Sequence, residues 1–194
     1  MVCSFFISKM KGVGKIATTG IWKIEKRLDN VIDYTTNIEK TINSDYGKDS
    51  YYDLHNVIDY VEADYKTEKQ FYVSGVNCNP KTALEEMTIT KEQYGKTGGI
   101  LGFHAFQSFA EGEVTPEQCH AIGVRLAEEM WGDRFEVVVS THLNTNHYHN
   151  HFVINSVSFK DGKRYYDKRE TYAELRRLSD SLCEEYGLSV IKEK

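Results

Sequence analysis

Two β-branched, aromatic segments separated by a short polar connection constrain the fold of this chain more than any other feature. Residues 135–141 (FEVVVST) and 149–159 (HNHFVINSVSF) have the composition and alternation of β-strands. Because the connection between them is short, we expect the two strands to lie side by side and antiparallel in one sheet.

Four of the seven histidines of the chain lie in or beside this connection. His149 and His151 are two residues apart on the second predicted strand, so both side chains leave the same face of the sheet. His142 closes the first strand and would complete a set of three imidazoles with open coordination positions, which is typical of a catalytic metal site. His147 is predicted either to contact a ligand histidine without binding the metal itself or to be exposed to solvent. The alternative is a polar loop whose histidines are solvated or satisfied by hydrogen bonds to the backbone.

The composition indicates one globular domain over residues 1–194. With 40% hydrophobic and 27% charged residues and only two prolines, the chain is neither collagen-like nor strongly disordered. The amino terminus is apolar for only about five positions, too few for a signal peptide or a membrane span. We therefore expect a cytoplasmic protein without membrane insertion. The four cysteines show no C-x-x-C spacing, which predicts reduced thiols.

Hydrophobic periodicity, together with capping and turn residues, predicts the remaining helices and strands. Strands are predicted at residues 15–24 and 100–109, and residues 67–82 are predicted to form a strand that runs into a loop. Helices are predicted at residues 26–37, 54–65, 115–132 and 171–186. The helix at 115–132 opens with a capping box, Thr115-Pro-Glu-Gln118. Asp161-Gly162 predicts a hairpin that returns a third antiparallel strand. The expected fold class is α+β, a central antiparallel sheet with helices packed against it.

The predicted metal site indicates phosphoryl chemistry but leaves the nucleophile open. A metal with open positions can polarise a phosphoryl oxygen and stabilise the charge that develops during displacement. The nucleophile would be either metal-bound water or a side chain such as a tyrosine phenol. Spacing alone cannot choose among the thirteen tyrosines of the chain.

Three segments resemble the motifs of one enzyme family. Residues 31–41 (VIDYTTNIEKT) place a tyrosine before a polar run that ends in Lys-Thr, residues 103–109 (FHAFQSF) form a second motif, and the histidines form a third. The chain resembles the relaxases, the mobilisation nucleases of conjugative plasmids and integrative conjugative elements. Within the histidine-hydrophobe-histidine endonuclease superfamily it resembles the branch called MOBP, over about residues 17–191.

This resemblance implies a set of site residues and a reaction. Tyr34 would be the nucleophile, Ser108 would contact DNA near the cleaved phosphate, and His142, His149 and His151 would hold Mg²⁺ or Mn²⁺. The implied reaction is site- and strand-specific nicking of a transfer origin, which gives a 5′-phosphotyrosine and a free 3′-hydroxyl and is later reversed. The fold would be of the relaxase type, with a motif-bearing core at about residues 15–191 in the amino-terminal part of a longer protein.

Partners are predicted from both the residues and the resemblance. A basic stretch with interleaved aromatic residues follows the second histidine strand, a combination that tracks phosphates and stacks bases. The predicted DNA contacts are Lys160, Lys163, Arg164, Tyr165, Lys168 and Arg169. The resemblance implies transfer-origin DNA, as a single strand or a hairpin plus single strand, a relaxosome accessory protein and a type IV secretion coupling protein in the bacterial cytoplasm.

One departure from the family pattern and three alternatives accompany this hypothesis. Many relatives carry aspartate two positions after the first histidine of the third motif, where this chain has Asn144. An amide there could orient an imidazole but could not accept a proton. The alternatives are a rolling-circle replication initiator, a metal-hydroxide phosphodiesterase without a covalent intermediate, and a noncatalytic DNA-binding module. A tyrosine upstream of the histidines favours the relaxase over the initiator.

Overall fold

The structure is a computed structural model that describes residues 17–41 and 72–190. Within these ranges the strands are β1 (Thr18–Ile24), β2 (Val73–Val76), β3 (Gly102–Ser108), β4 (Val137–His142) and β5 (His149–Asn155). The helices are α1 (Leu28–Thr35), α2 (Ile38–Thr41), α3 (Ala83–Gln93), α4 (Pro116–Trp131) and α5 (Arg169–Glu185). The predicted helix at 54–65 lies outside the described residues.

The described strands form one antiparallel sheet with the order β1-β3-β5-β4-β2. Strand β5 lies at its centre between β3 and β4, so its backbone is hydrogen-bonded on both sides. In this register His142 lies opposite His149, and Ser140 lies opposite His151. The α+β prediction with a central antiparallel sheet is confirmed.

Helices cover both faces of the sheet. On the face that carries His142, His149 and His151, here called the histidine face, α1 and α3 pack through their apolar residues. The cluster on this face comprises Ile24, Leu28, Ile32, Ala83, Met87, Val138 and Val153. On the opposite face α4 and α5 build the larger core, which includes Ile122, Leu126, Leu175 and Leu182. The strands β4 and β5 are therefore buried along their whole length, and so are their polar residues.

Local sequence signals account for the two long helices. The Thr115 hydroxyl accepts a hydrogen bond from the Gln118 backbone amide at 3.2 Å, and the Gln118 side-chain oxygen accepts one from the Thr115 backbone amide at 3.1 Å, which is the predicted capping box. Helix α5 ends before Gly187, whose φ of 72° is the left-handed conformation that stops a helix.

Cys78, Cys119 and Cys183 are free thiols, as predicted.

Helix α3 was not predicted, because its buried face is partly polar. Ala83 and Met87 are buried, but so are Thr90 and Lys91. The Lys91 ammonium donates to the Met87 carbonyl at 3.1 Å, and Thr90 hydrogen-bonds the Glu136 carboxylate. Such buried polar positions remove the apolar stripe by which an amphipathic helix is recognised in a sequence.

The predicted third strand after Asp161-Gly162 is wrong. The turn itself forms, with Gly162 at a φ of 66° and its amide donating to the Ser158 carbonyl at 2.9 Å. The returning segment makes one isolated bridge, between Val157 and Arg164, and the chain then enters α5 at residue 169. Too few residues separate the turn from the helix for a ladder to develop.

Candidate active site

Three imidazoles converge at one end of the central strands. His142 ends β4, and His149 and His151 begin β5, so the register of the two strands brings the three rings together. One ring nitrogen from each histidine can be chosen so that all three lie within 4.8 Å of one another, and all three residues are buried. The ring centroids are 4.3 to 5.2 Å apart.

Each imidazole has one nitrogen engaged by a neighbouring group. His142 Nε2 donates to the Thr35 carbonyl and His149 Nδ1 donates to the His147 carbonyl, both at 2.9 Å. An imidazole that donates through one nitrogen carries a lone pair on the other. The third ring, His151, has Nδ1 2.9 Å from His104 Nε2.

His151 Nε2 tests whether this site fits a metal. It is buried and has no hydrogen-bond partner among the described residues. A buried ring nitrogen without a partner is costly unless a ligand engages it. Its position inside a cluster of three imidazoles matches the donor set that divalent transition metals accept. The residues present therefore fit a metal ion.

Burial keeps these rings in the form that binds metals. Desolvation lowers the pKa of His142 to about 4. The same cause lowers the pKa of His149 and, more strongly, that of His151. Neutral imidazole is the metal ligand, so the rings would not need to lose a proton near neutral pH before binding.

Tyr34 lies at the edge of this cluster. It belongs to the last turn of α1, and its ring centroid is 5.7 Å from that of His142 and 6.1 Å from that of His151. The side chain is 41% exposed, so a substrate can reach it. The Lys40 ammonium lies 3.4 Å from the centre of the Tyr34 ring, a cation–π contact.

Hydrogen bonds to main-chain carbonyls attach the helices of this segment to the end of the histidine strand β4. The Thr35 carbonyl, next to Tyr34, accepts the bond from His142, and the Lys40 carbonyl accepts from the Leu143 amide at 2.8 Å. Sequence reasoning missed Thr35 and gave Lys40 no role. The Lys-Thr pair that ends the first motif was the one available signal for Lys40.

The other residues predicted near the site lie around it. Ser108 ends β3 opposite His149 and is partly buried. The His147 side chain is exposed, with Nδ1 3.3 Å from the Phe109 carbonyl, and the His147 carbonyl oxygen orients His149. Asn144 is exposed in the loop between β4 and β5. It lines a cavity of about 600 Å³ together with Tyr148 and the start of α4.

The basic stretch lies at the other end of the sheet, beyond the carboxyl end of β5. Lys160 pairs with Asp133 at 2.5 Å, and Lys163 pairs with Asp161 at 3.3 Å. Arg164 donates to the carbonyls of residues 96, 98 and 100. The guanidinium therefore already has a structural role, while Lys168 and Arg169 are exposed. The ring of Tyr165 is half-buried against Phe103 and Phe135.

A buried hydrogen-bond network lies on the opposite face, directly behind the histidines. The Asn150 carbonyl oxygen accepts from Thr141 at 2.6 Å, and its amide donates to Gln107 at 3.1 Å and to the Cys119 carbonyl at 2.7 Å. His120 Nδ1 lies 2.8 Å from Thr141 Oγ1 and extends the network to helix α4. Asn150 and Thr141 are cross-strand partners, so this network fixes the same register that joins the histidines.

Among residues 17–41 and 72–190, no helix combines the length and apolar character needed to cross a bilayer.

Several curated proteins are similar in sequence to this chain. "Protein rlx" from Staphylococcus aureus is 43% identical over 117 residues, which cover 60% of this chain and 37% of that protein. "Group II intron-interrupted relaxase LtrB" from Lactococcus lactis is 29% identical over an alignment of 206 positions, which covers 86% of this chain and 36% of that protein. The chain thus spans little more than a third of the length of these relatives.

A solved structure and a family model also match. The structure, described as "Molecular Basis of Vancomycin Resistance Transfer in Staphylococcus aureus", aligns with a TM-score of 0.55 at 12% identity and covers 90% of this chain and 96% of its own. That likeness supports the fold. The family model "Relaxase: MobA/VirD2-like, nuclease domain" matches residues 37–188, which include the three histidines and begin just after Tyr34. The chain therefore belongs to the MobA/VirD2-like relaxases and carries their nuclease domain.

Proposed function

We propose that this chain is the DNA-nicking domain of a conjugative relaxase and that Tyr34 is its nucleophile. The observation that carries the proposal is an accessible tyrosine beside a buried set of three imidazoles. Tyr34 precedes the residues that the family model matches, so its role rests on this geometry and on the resemblance of residues 31–41.

The proposed reaction is a transesterification. The Tyr34 oxygen attacks the scissile phosphorus of a DNA strand, the new O–P bond forms, and the bond from phosphorus to the 3′ oxygen breaks. The phenol loses its proton and the departing 3′ oxygen gains one, so the products are a 5′-phosphotyrosine and a free 3′-hydroxyl. Attack by that hydroxyl reverses the step and rejoins the strand, because the phosphodiester energy is kept in the covalent product.

The residues around Tyr34 support this chemistry. A divalent ion held by His142, His149 and His151 would polarise the scissile phosphate and stabilise its developing negative charge. Lys40 lies over the Tyr34 ring, where its positive charge favours negative charge on the phenol oxygen. The Thr35–His142 and Lys40–Leu143 bonds hold this segment against the histidine strand.

The substrate and partners follow from the family. We propose Mg²⁺ or Mn²⁺ as the metal and a single strand of transfer-origin DNA, alone or beside a hairpin, as the substrate. A relaxosome accessory protein and a type IV secretion coupling protein would act with it in the bacterial cytoplasm. Lys168 and Arg169 are the basic residues at the start of α5 that we propose as further DNA contacts, because both are exposed.

The test is a denaturing-gel assay for a covalent protein–DNA adduct. The protein is mixed with Mn²⁺ and single-stranded oligonucleotides tiled across the transfer origin of its element. We expect an adduct with the parent protein, none with Tyr34→Phe and none with chelator. Tyr172→Phe is a matched control, because Tyr172 is 40% exposed but lies on α5. Its adduct yield should equal that of the parent.

Other outcomes would contradict the proposal in distinct ways. Cleavage without an adduct by both the parent and Tyr34→Phe would show hydrolysis by metal-bound hydroxide. An adduct that persists in Tyr34→Phe would assign the nucleophile to another residue. Failure of the parent to cleave any tiled oligonucleotide with Mn²⁺ or Mg²⁺ would favour a noncatalytic DNA-binding module.

A further inference from the structure

We infer that His104 is a positioning residue for the metal site: it accepts a hydrogen bond from His151 Nδ1 and thereby directs the lone pair of His151 Nε2 toward the metal. The inference rests on the metal site of the proposed function, but it does not depend on the identity of the nucleophile or of the DNA. No residue of the second motif other than Ser108 had been given a role from the sequence.

The two rings are in direct and buried contact. His104 Nε2 lies 2.9 Å from His151 Nδ1, and the ring centroids are 5.0 Å apart. His104 is 6% exposed and His151 is fully buried, so water does not compete for this bond. A hydrogen bond shielded in this way holds its partners in one arrangement more firmly than an exposed one does.

The direction of the bond decides what His151 can do. If His104 donated, His151 would carry its own proton on Nε2, in a buried place where that N–H would have no described partner. A buried donor without an acceptor destabilises the fold. If His151 donates, Nε2 presents a lone pair instead, which is the tautomer that a metal requires.

The strand position of His151 explains why a side chain must supply this acceptor. His142 and His149 lie at strand ends, where the Thr35 and His147 carbonyls are free to accept their N–H groups. His151 lies within β5, whose main chain is paired with β3 and β4. Carbonyls in such a ladder point along the sheet and not toward its face. His104, on the same face of β3, provides the acceptor there.

Packing keeps His104 in place. Strand β3 is paired with both β1 and β5, so the backbone of His104 is held on two sides. The Trp22 ring of β1 packs edge-on against the His104 ring with centroids 4.8 Å apart. The contact limits rotation of the imidazole about its side-chain bonds and so keeps Nε2 aimed at His151.

The test measures Mn²⁺ affinity of the full chain without DNA, by titration calorimetry and by the electron paramagnetic resonance signal of free Mn²⁺. His104→Phe keeps a ring against Trp22 but removes the acceptor, and should weaken Mn²⁺ binding by about 10- to 100-fold. His104→Gln places a carbonyl oxygen near the position of the lost nitrogen and should stay within about threefold of the parent protein. Glu128→Gln changes an exposed residue of α4, on the opposite side of the sheet, and should leave the affinity unchanged.

The thermal unfolding midpoint of each metal-free variant is measured as well, so that a loss of metal affinity caused by lost folding stability is distinguished from one caused by lost positioning of His151. Unchanged Mn²⁺ affinity in His104→Phe would overturn the inference and leave the metal site intact. Equal weakening in His104→Phe and His104→Gln would also overturn it, because the acceptor would then not matter. If the parent protein itself binds neither Mn²⁺ nor Mg²⁺, the metal site fails and this inference fails with it, whereas a missing DNA adduct alone would contradict only the proposed reaction.

Discussion

Successive residues of strand β5 bury polar side chains on both faces of the central sheet, with different results. On the opposite face, Asn150 bonds Thr141, Gln107 and the Cys119 carbonyl. On the histidine face, one residue further along, His151 Nε2 has no described partner, and neither has Ser140 Oγ across from it on β4. Both sites are equally remote from water.

The difference separates a structural polar network from one that we propose binds a metal. Buried polar groups normally find partners because leaving them unpaired is costly. The Asn150 network therefore gains its stability from the fold alone and fixes the strand register. The histidine face leaves a ring nitrogen unsatisfied, so its arrangement gains stability only when a ligand binds. The complete network supports the incomplete one, since Thr141 and Asn150 directly adjoin the three histidines.

Removing a ligand from the histidine face should have the largest effect. In His151→Ala, metal-dependent adduct formation should fall by about 10³-fold, because a weakly held metal gives up several kcal/mol of transition-state stabilisation. Adduct yield over time and Mn²⁺ affinity measure this. His147→Ala is the control, since it keeps the carbonyl that orients His149 and should react at the parent rate. Parental rates in His151→Ala would show that these histidines do not form the metal site.

Adding a methyl group to the packed opposite face should have a smaller effect. It should lower the free energy of unfolding, although helix propensity alone predicts that Gly→Ala in a helix raises it. A Cβ on Gly123 of α4 would lie 2.5 Å from Asn150 Nδ2 and 2.6 Å from its Cγ. The amide can move away only by leaving its partners. Gly123→Ala should therefore lower the free energy of unfolding by about 1–3 kcal/mol through overpacking.

The exposed Ala121 gives the matched control on the same helix. Ala121→Gly should destabilise by about 1 kcal/mol through propensity alone. Urea unfolding of both variants at pH 7 makes the comparison. If Gly123→Ala proved as stable as the parent, the Asn150 amide would be able to move without loss of stability. The role of the network in fixing the register would then be refuted.

The smallest expected effect is a pH dependence from the opposite face. Burial lowers the pKa of His120 to about 4 from its ordinary 6.5. A group whose pKa is depressed by folding stabilises the protein above its unfolded pKa, and that stability is lost as the pH falls toward the folded value. Since His120 is partly exposed, we expect it to account for about 1 kcal/mol between pH 7 and pH 5.

Urea unfolding of the metal-free protein at both pH values measures this loss. The buried histidines of the histidine face also make the protein less stable as the pH falls, because burial lowers their pKa values too. The contribution of His120 is therefore isolated with the variant His120→Gln. That variant should show a smaller decrease between pH 7 and pH 5 than the parent does. Equal decreases would mean that His120 accepts a proton in the folded state without cost.

Strong local patterns made much of the fold predictable. The strands at 137–142 and 149–155 follow from their β-branched composition, and α4 follows from its capping box and apolar stripe. The H-x-H spacing alone places two imidazoles on one face. Local signals failed where burial is polar, as in α3, and where a good turn lacked room for a strand, as at Asp161-Gly162.

The partners of the site residues were beyond the reach of such patterns. His104 lies 47 residues before His151, and Thr35 lies 107 residues before His142. No periodicity relates positions so far apart. Arg164 was predicted to contact DNA because it lies in a basic run, and this stays a prediction. The sequence did not show that its guanidinium binds three carbonyls of a loop that precedes β3. Charge in a sequence does not show what a side chain faces.

By itself the sequence determined an antiparallel α+β fold with His149 and His151 on one face of a central strand, because backbone geometry fixes a period of two. The tertiary structure decided that the three rings meet within 4.8 Å, that Tyr34 lies beside them under Lys40, and that His104 stands behind His151. These contacts depend on sheet order and helix packing, which come from burying apolar surface across the whole domain and not from any local run of residues.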